Sequence, residues 1–188
     1  MDEKEIIKSQ IRKLSEILIT AKLSYETWWI MAGPDRPKYI EIFNTYLSFF
    51  RPTINAHYHT LIISLYKLYD KRRNTTNFNH LVKIAKSNWP TSDKDFSYLE
   101  EMYQQALTIW KKIRIMRHEF YAHQASNANI SDIYKRAEIC PDQFKELIDL
   151  SIQILNEVYS TFDRITISMY SISASHDTYR VLDKLSNF

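Results

Sequence analysis

Gly33 is the only glycine in this chain of 188 residues. Tight turns, β-bulges and phosphate-binding loops depend on glycine, because it adopts left-handed backbone conformations without a steric cost. One glycine therefore argues against a turn-rich β-sandwich, a Rossmann fold or a P-loop protein. It favours long helices joined by few turns, and the length suffices for one domain with a real core.

Apolar residues recur at steps of three and four along most of the chain, which predicts amphipathic helices. The long helices are expected over residues 3–31, 37–50, 53–70, 95–122 and 141–171. Shorter helices are expected over residues 78–87, capped by Asn77, and over residues 130–137. Gly33 should end the first helix, and Pro52 should break or kink the chain after the second.

These elements predict an all-α protein: an up-and-down bundle of four to five main helices with short helical inserts. We expect residues 1–188 to form one domain. The polar tail over residues 173–188 either docks as a short helix or frays, and the sequence leaves both outcomes open.

Composition limits the classes of function. The net charge of +3 favours a polyanionic partner only mildly, because dedicated nucleic-acid-binding domains are usually more basic. Cys140 is the only cysteine, so we expect neither an intramolecular disulfide nor a cysteine-based zinc site. We expect its thiol to be packed, in a protein of a reducing compartment. The chain begins with charges of both signs and has no apolar run of about 20 residues, so we expect a cytoplasmic protein that does not span a membrane.

The stretch from Lys111 to His123 carries the most specific chemistry. A regular apolar stripe runs along this helix as Leu99, Met102, Ala106, Ile109, Ile113, Met116 and Phe120. Arg117 lies on the flank of the stripe, and His123 follows after five intervening residues. An arginine can bind a phosphate with two parallel hydrogen bonds, and a histidine can transfer protons near neutral pH. Such a pair can perform phosphoryl chemistry on RNA without a metal.

The spacing of this pair is weak evidence by itself. With ten arginines and six histidines, about one Arg-(four to six residues)-His match is expected by chance, and the sequence has three. If the helix persisted, His123 would continue the apolar seam as a core residue. The polar segment over residues 124–129 favours a helix end near His123 instead, which would place the imidazole close to an opening in the bundle.

Two stretches resemble the HEPN superfamily, and within it the abortive-infection U-type branch. One is Arg117-His118-Glu119-Phe120-Tyr121-Ala122-His123, and the other is Leu65-Tyr66-Lys67-Leu68-Tyr69-Asp70. The resemblance implies homodimers in which the motif helices face each other and build one composite cleft. It also implies metal-independent RNA cleavage, without a cofactor, in toxin–antitoxin or antiphage systems, although some members are non-catalytic binding modules. His118 departs from the family pattern, which more usually has asparagine or aspartate there.

On this resemblance, Arg117 and His123 are the expected catalytic residues. His123 would act as general base on a ribose 2′-OH or as general acid on the leaving 5′-oxygen, while Arg117 would bind the scissile phosphate. Supporting roles are expected for His118, Glu119 and Asp70, and Glu119 would hold the imidazole if the helix continues that far.

Basic residues near the motif and after the third long helix give candidate RNA contacts: Lys71, Arg72, Arg73, Lys111 and Arg114. These charges are equally compatible with an ordinary solvated surface that contacts no RNA. The expected partners are RNA, a second copy of the chain and an antitoxin protein. The competing hypothesis is an interaction module in which Arg117 and His123 are structural ties. A nucleotide-binding bundle ranks last, because the chain lacks a glycine-rich phosphate loop.

Overall fold

A computed structural model describes residues 3–72, 75–89, 96–122, 130–163 and 169–187. Within these residues the chain forms eight α-helices, two short 3₁₀ turns at Arg36–Tyr39 and Met169–Ser171, and no strands. The helices are α1 Glu3–Ala32, α2 Ile40–Thr45, α3 Leu47–Tyr69, α4 Phe78–Ser87, α5 Phe96–Ala122, α6 Ile130–Ala137, α7 Pro141–Asp163 and α8 Ser175–Leu185. The prediction of an all-α fold is confirmed.

The four long helices α1, α3, α5 and α7 form the bundle. Helix α1 packs against α3 and α7, and α5 packs against α3, α6 and α7. The predicted stripe of α5 faces the core, since Leu99, Ala106, Ile113 and Met116 have no exposed surface. Burying a leucine, isoleucine or methionine side chain contributes about 1.5–3 kcal/mol, so this stripe fixes which face of α5 remains outside.

Aromatic contacts set the relative direction of α3 and α5. The ring of Tyr69 stacks on Tyr103, and the ring of Tyr66 stacks on Trp110, with centroid distances of 6.2 Å and 6.0 Å. An earlier residue of α3 therefore meets a later residue of α5, so the two helices are antiparallel. The carboxyl end of α5 consequently lies beside the middle of α3.

Gly33 follows α1 for a reason other than its conformational freedom. Its backbone does not have a positive φ, and its N–H donates to the carbonyl of Trp29 at 2.8 Å. A Cβ atom at this position would lie 2.5 Å from that carbonyl oxygen and 2.8 Å from the indole ring. The sole glycine is thus required by the close approach of Trp29.

The predicted break at Pro52 is wrong. The chain turns earlier, at Tyr46, whose φ of −111° and ψ of 40° separate α2 from α3. Pro52 is the sixth residue of α3 and is exposed, so it removes only the N–H that would have reached Ser48. A proline is tolerated at this position because it costs one intrahelical hydrogen bond, and the residue that loses its partner, Ser48, is exposed.

The remaining boundaries follow local chemistry. Asn77 caps α4 as predicted, since its Oδ1 accepts from His80 N at 2.9 Å. The last long helix was predicted over residues 141–171. Helix α7 covers Pro141–Asp163 of this range, and residues 164–168 lie outside the described part. Helix α8 docks on the bundle through Leu182, which is 1 % exposed.

The thiol of Cys140 is exposed, although it was expected to be packed. No described helix is long and apolar enough to cross a membrane.

Candidate functional site

The outer face of α5 becomes basic toward its carboxyl end. Ile113 and Met116 are fully buried, whereas Lys111, Arg114 and His118 are exposed on the opposite side. Arg117 is half-buried, on the flank that the helical period predicts. The buried stripe thus orients the basic residues of the motif helix toward solvent.

The guanidinium of Arg117 is held by an aromatic ring from the neighbouring helix. Its Cζ atom lies 4.9 Å from the centroid of the Tyr66 ring. Tyr66 stacks in turn on Trp110 at an interplanar angle of 28°, and the indole N–H of Trp110 donates to the Tyr66 carbonyl at 3.1 Å. Arg114 completes the stack, with its Cζ 5.8 Å from the Trp110 ring.

This stack restricts where the Arg117 guanidinium lies. A cation over a ring is attracted through the π face, which does not use the N–H groups in the plane of the guanidinium. These N–H groups are the ones that pair with the two oxygens of a phosphate. An arginine held by a ring in this way can still offer its N–H groups to an anion at the edge of α5.

Glu119 pairs with an arginine of α6, a contact that the sequence did not predict. Its Oε2 accepts from Arg136 Nη2 of α6 at 2.6 Å. Lys112 adds a second link on this side, donating to the carbonyl of Glu138 at 2.5 Å. Together these contacts fix the end of α6 against the motif helix. His123 and Arg73 lie outside the described residues, so the expected contact of Glu119 with the His123 imidazole stays a prediction.

Asp70 belongs to a different cluster from Arg117. It ends α3, its side chain is 8 % exposed, and its Oδ2 accepts from Arg72 Nε at 2.5 Å. The preceding residue, Tyr69, packs on Tyr103, which is about 21 Å from Arg117 along α5 at roughly 1.5 Å per residue. Asp70 thus stabilises the turn after α3. Its carboxylate pairs with the Arg72 guanidinium, which partly neutralises the charge of that arginine.

The basic residues form two separate groups. Lys71 and Arg72 are exposed beyond the end of α3, near the level of Tyr103, whereas Lys111 and Arg114 lie nearer the level of Tyr66. Among the residues that the structure describes, no group of three or more His, Cys, Asp or Glu side chains is placed to hold a metal ion.

His57 on α3 has the character of a core-edge histidine. It is half-buried, and burial lowers the pKa of its imidazole below the usual value. A histidine kept neutral in this way is suited to packing. This agrees with its position on the apolar stripe of α3.

The helical bundle, with a long helix that carries a cationic edge at its carboxyl end, has the architecture of a HEPN domain. The HEPN_AbiU2 family model, described as AbiU2, matches residues 4–182. This match covers nearly the whole chain, so the chain belongs to the AbiU2 family of HEPN domains, as its motifs predicted. Searches of the curated proteins and of the solved structures found no match.

Proposed function

We propose that this protein is a metal-independent endoribonuclease of the toxin or antiphage-defence type. Its cleft lies at a homodimer interface and is built by Arg117 and His123 of both subunits. Membership of a HEPN family supports the proposal, and one observation carries it: the Cζ atom of Arg117 lies 4.9 Å from the centroid of the Tyr66 ring, in a cation–π contact that does not itself need the N–H groups that an anion would bind.

The proposed reaction is an internal transfer of the phosphoryl group. His123 takes the proton from the ribose 2′-OH, and the 2′-oxygen forms a bond to phosphorus. The bond from phosphorus to the 5′-oxygen breaks, and the partner subunit's His123 gives that oxygen a proton. Arg117 binds two phosphate oxygens and stabilises the charge that develops on them in the transition state. The products are a 2′,3′-cyclic phosphate and a 5′-OH, and DNA is not cut because it lacks the 2′-OH.

The exposed cations of α5 provide the proposed RNA track. Lys111 and Arg114 precede Arg117 on the same helix, and His118 is exposed directly beside it. Neutralising Lys111 and Arg114 together should weaken RNA binding and flatten its salt dependence, because each lost phosphate contact reduces the slope by roughly 0.7 for a single strand. Lys71 and Arg72 form a second, more distant part of this track, and unchanged binding after their neutralisation would remove them from it.

A non-catalytic interaction module is the second candidate function. The same contact favours it, since a half-buried arginine stacked on Tyr66 also ties α5 to α3. The two candidates differ in what Arg117→Ala does to folding. A structural Arg117 should cost about 2 kcal/mol or more of unfolding free energy, because its half-buried stem loses packing in addition to the cation–π contact, whereas a mainly catalytic arginine should cost less than about 1 kcal/mol.

The chemistry of the cleavage products tests the proposed reaction. Purified protein is incubated with mixed RNA in excess EDTA, and the new RNA ends are analysed. The proposal expects 2′,3′-cyclic phosphate and 5′-OH ends, with a 2′-deoxy version of each cut site left intact. Products with 3′-OH ends, or equal cleavage of the 2′-deoxy oligonucleotides, would refute the mechanism.

A further inference from the structure

A groove lies between the amino-terminal half of α3 and the segment that contains the first 3₁₀ turn and α2. Its volume is about 350 Å³. Seven residues line it: Arg36, Phe43, Leu47, Phe50, Arg51, Ile54 and Asn55. Phe50 and Ile54 follow Leu47 at steps of three and four, so they present one face of α3 to the groove.

The floor of the groove is apolar and closely packed. The rings of Phe43 and Phe50 meet edge to face, with centroids 5.0 Å apart, and both residues are almost completely buried. The wall is open, because Leu47 is 52 % exposed. An exposed leucine beside a packed aromatic floor is a surface that gains free energy when another apolar side chain covers it.

The rim of the groove is cationic. Arg36 is held in place by donating from Nη1 to the Met31 carbonyl at 3.1 Å and by lying 5.4 Å above the Phe43 ring. Arg51 is exposed on the α3 side. None of the seven lining residues is acidic, so a ligand in the groove meets two positive charges beside an apolar floor.

We propose that this groove is a docking site for an acidic amphipathic helix of a partner protein. Such a helix places apolar side chains into the groove and carboxylates against Arg36 and Arg51, which can pair with them bidentately. Charge complementarity selects acidic over basic helices. The apolar floor favours a peptide over RNA, whose phosphates would use the arginines but not Leu47. The proposal is independent of RNA cleavage.

The test uses two synthetic peptides of roughly 15 residues, long enough to form a helix on binding. One is built from Leu, Ala and Glu with leucines at steps of three and four, and its twin carries Lys in place of every Glu. Binding to the full chain is followed by fluorescence anisotropy. The acidic peptide should bind saturably, and the twin should bind at least about tenfold more weakly.

Three variants locate the binding. Arg51→Glu and Leu47→Asp should each weaken the acidic peptide by about tenfold or more. Arg12→Glu makes the same charge change on the exposed face of α1 and should leave binding unchanged. Circular dichroism checks that all three fold, which the exposure of the altered side chains leads us to expect.

Several results would overturn the docking site. These are equal binding of both peptides, no saturation at millimolar peptide, or unchanged binding to Arg51→Glu. If Leu47→Asp instead abolishes saturable binding of single-stranded RNA, the groove is a nucleic-acid site. If Leu47→Asp abolishes self-association, the groove is covered by a second copy of the chain. Either outcome replaces the proposal.

Discussion

Replacing Tyr66 by leucine should impair RNA cleavage without unfolding the protein. The substitution keeps an apolar side chain between α3 and α5 but removes the ring on which the Arg117 guanidinium rests at 4.9 Å. A cation–π contact of this kind is worth about 0.5–2 kcal/mol, and its loss frees the arginine to sample other rotamers. Tyr66→Phe retains the ring and serves as the matched control.

The size of the effect follows from these energies. If about 1–2 kcal/mol of positioning is lost in the transition state, the cleavage rate falls roughly 5- to 30-fold. Single-turnover kinetics in EDTA measure this rate, and the loss should appear in kcat more than in KM because the arginine acts on the developing charge. Tyr66→Phe should stay within about twofold of wild type.

Two results would refute this reasoning. One is a Tyr66→Leu protein that folds and cleaves at the wild-type rate, since the ring would then not position Arg117. The other is an equal loss in Tyr66→Phe, which would move the effect from the ring to the hydroxyl group. Thermal unfolding of each variant separates a loss of rate from a loss of fold.

Three further predictions concern stability. Gly33→Ala should lower the unfolding free energy by about 1–3 kcal/mol in urea denaturation, because its Cβ would meet the Trp29 carbonyl oxygen at 2.5 Å; no change would show that the turn relaxes easily. Glu138→Gly should raise the unfolding free energy by about 0.5–1 kcal/mol, because Glu138 has a φ of 50° that glycine adopts without strain; a loss would contradict this. Burial raises the pKa of Glu26, but hydrogen bonds from Lys22, the Ala174 N–H and Ser173 outweigh it and hold the pKa below its usual value. This stabilisation is present above the unfolded pKa of about 4.3 and is lost as the pH falls through the folded pKa, so proteolysis of the α8 segment should accelerate in acid. The acceleration should be smaller in Glu26→Gln, where only other carboxylates of this region, such as Asp183, still titrate.

The sequence predicted those parts of the fold that depend on local pattern. The stripe from Leu99 to Met116 identified the buried face of α5, and Asn77 identified the start of α4, because helical period and capping are properties of neighbouring residues. Pro52 misled the prediction, since proline disfavours helix interiors in general but is tolerated in the second turn of α3. Gly33 was correctly expected to end α1, but the close contact with Trp29 that requires it was not visible in the sequence.

The site was predictable only in part. Arg117 was identified by its place in the motif, and its position on the flank of the apolar stripe followed from the helical period. The stacking of Arg117 on Tyr66 could not be predicted, because a contact between two helices depends on where they cross. The only advance signal was that Trp110 and Arg117 are two turns apart and so share a face. Asp70 was grouped with the motif by resemblance, whereas the fold pairs it with Arg72.

The most direct test of the central claim is RNA cleavage in excess EDTA by the wild-type protein, Arg117→Ala and His123→Ala, with Arg12→Ala as an exposed control. All four are first compared by circular dichroism and by their state of association. We predict cleavage by the wild type and the control, and a loss of at least about a hundredfold in both motif variants. Cleavage by folded Arg117→Ala or His123→Ala at the wild-type rate would contradict the assignment of the site.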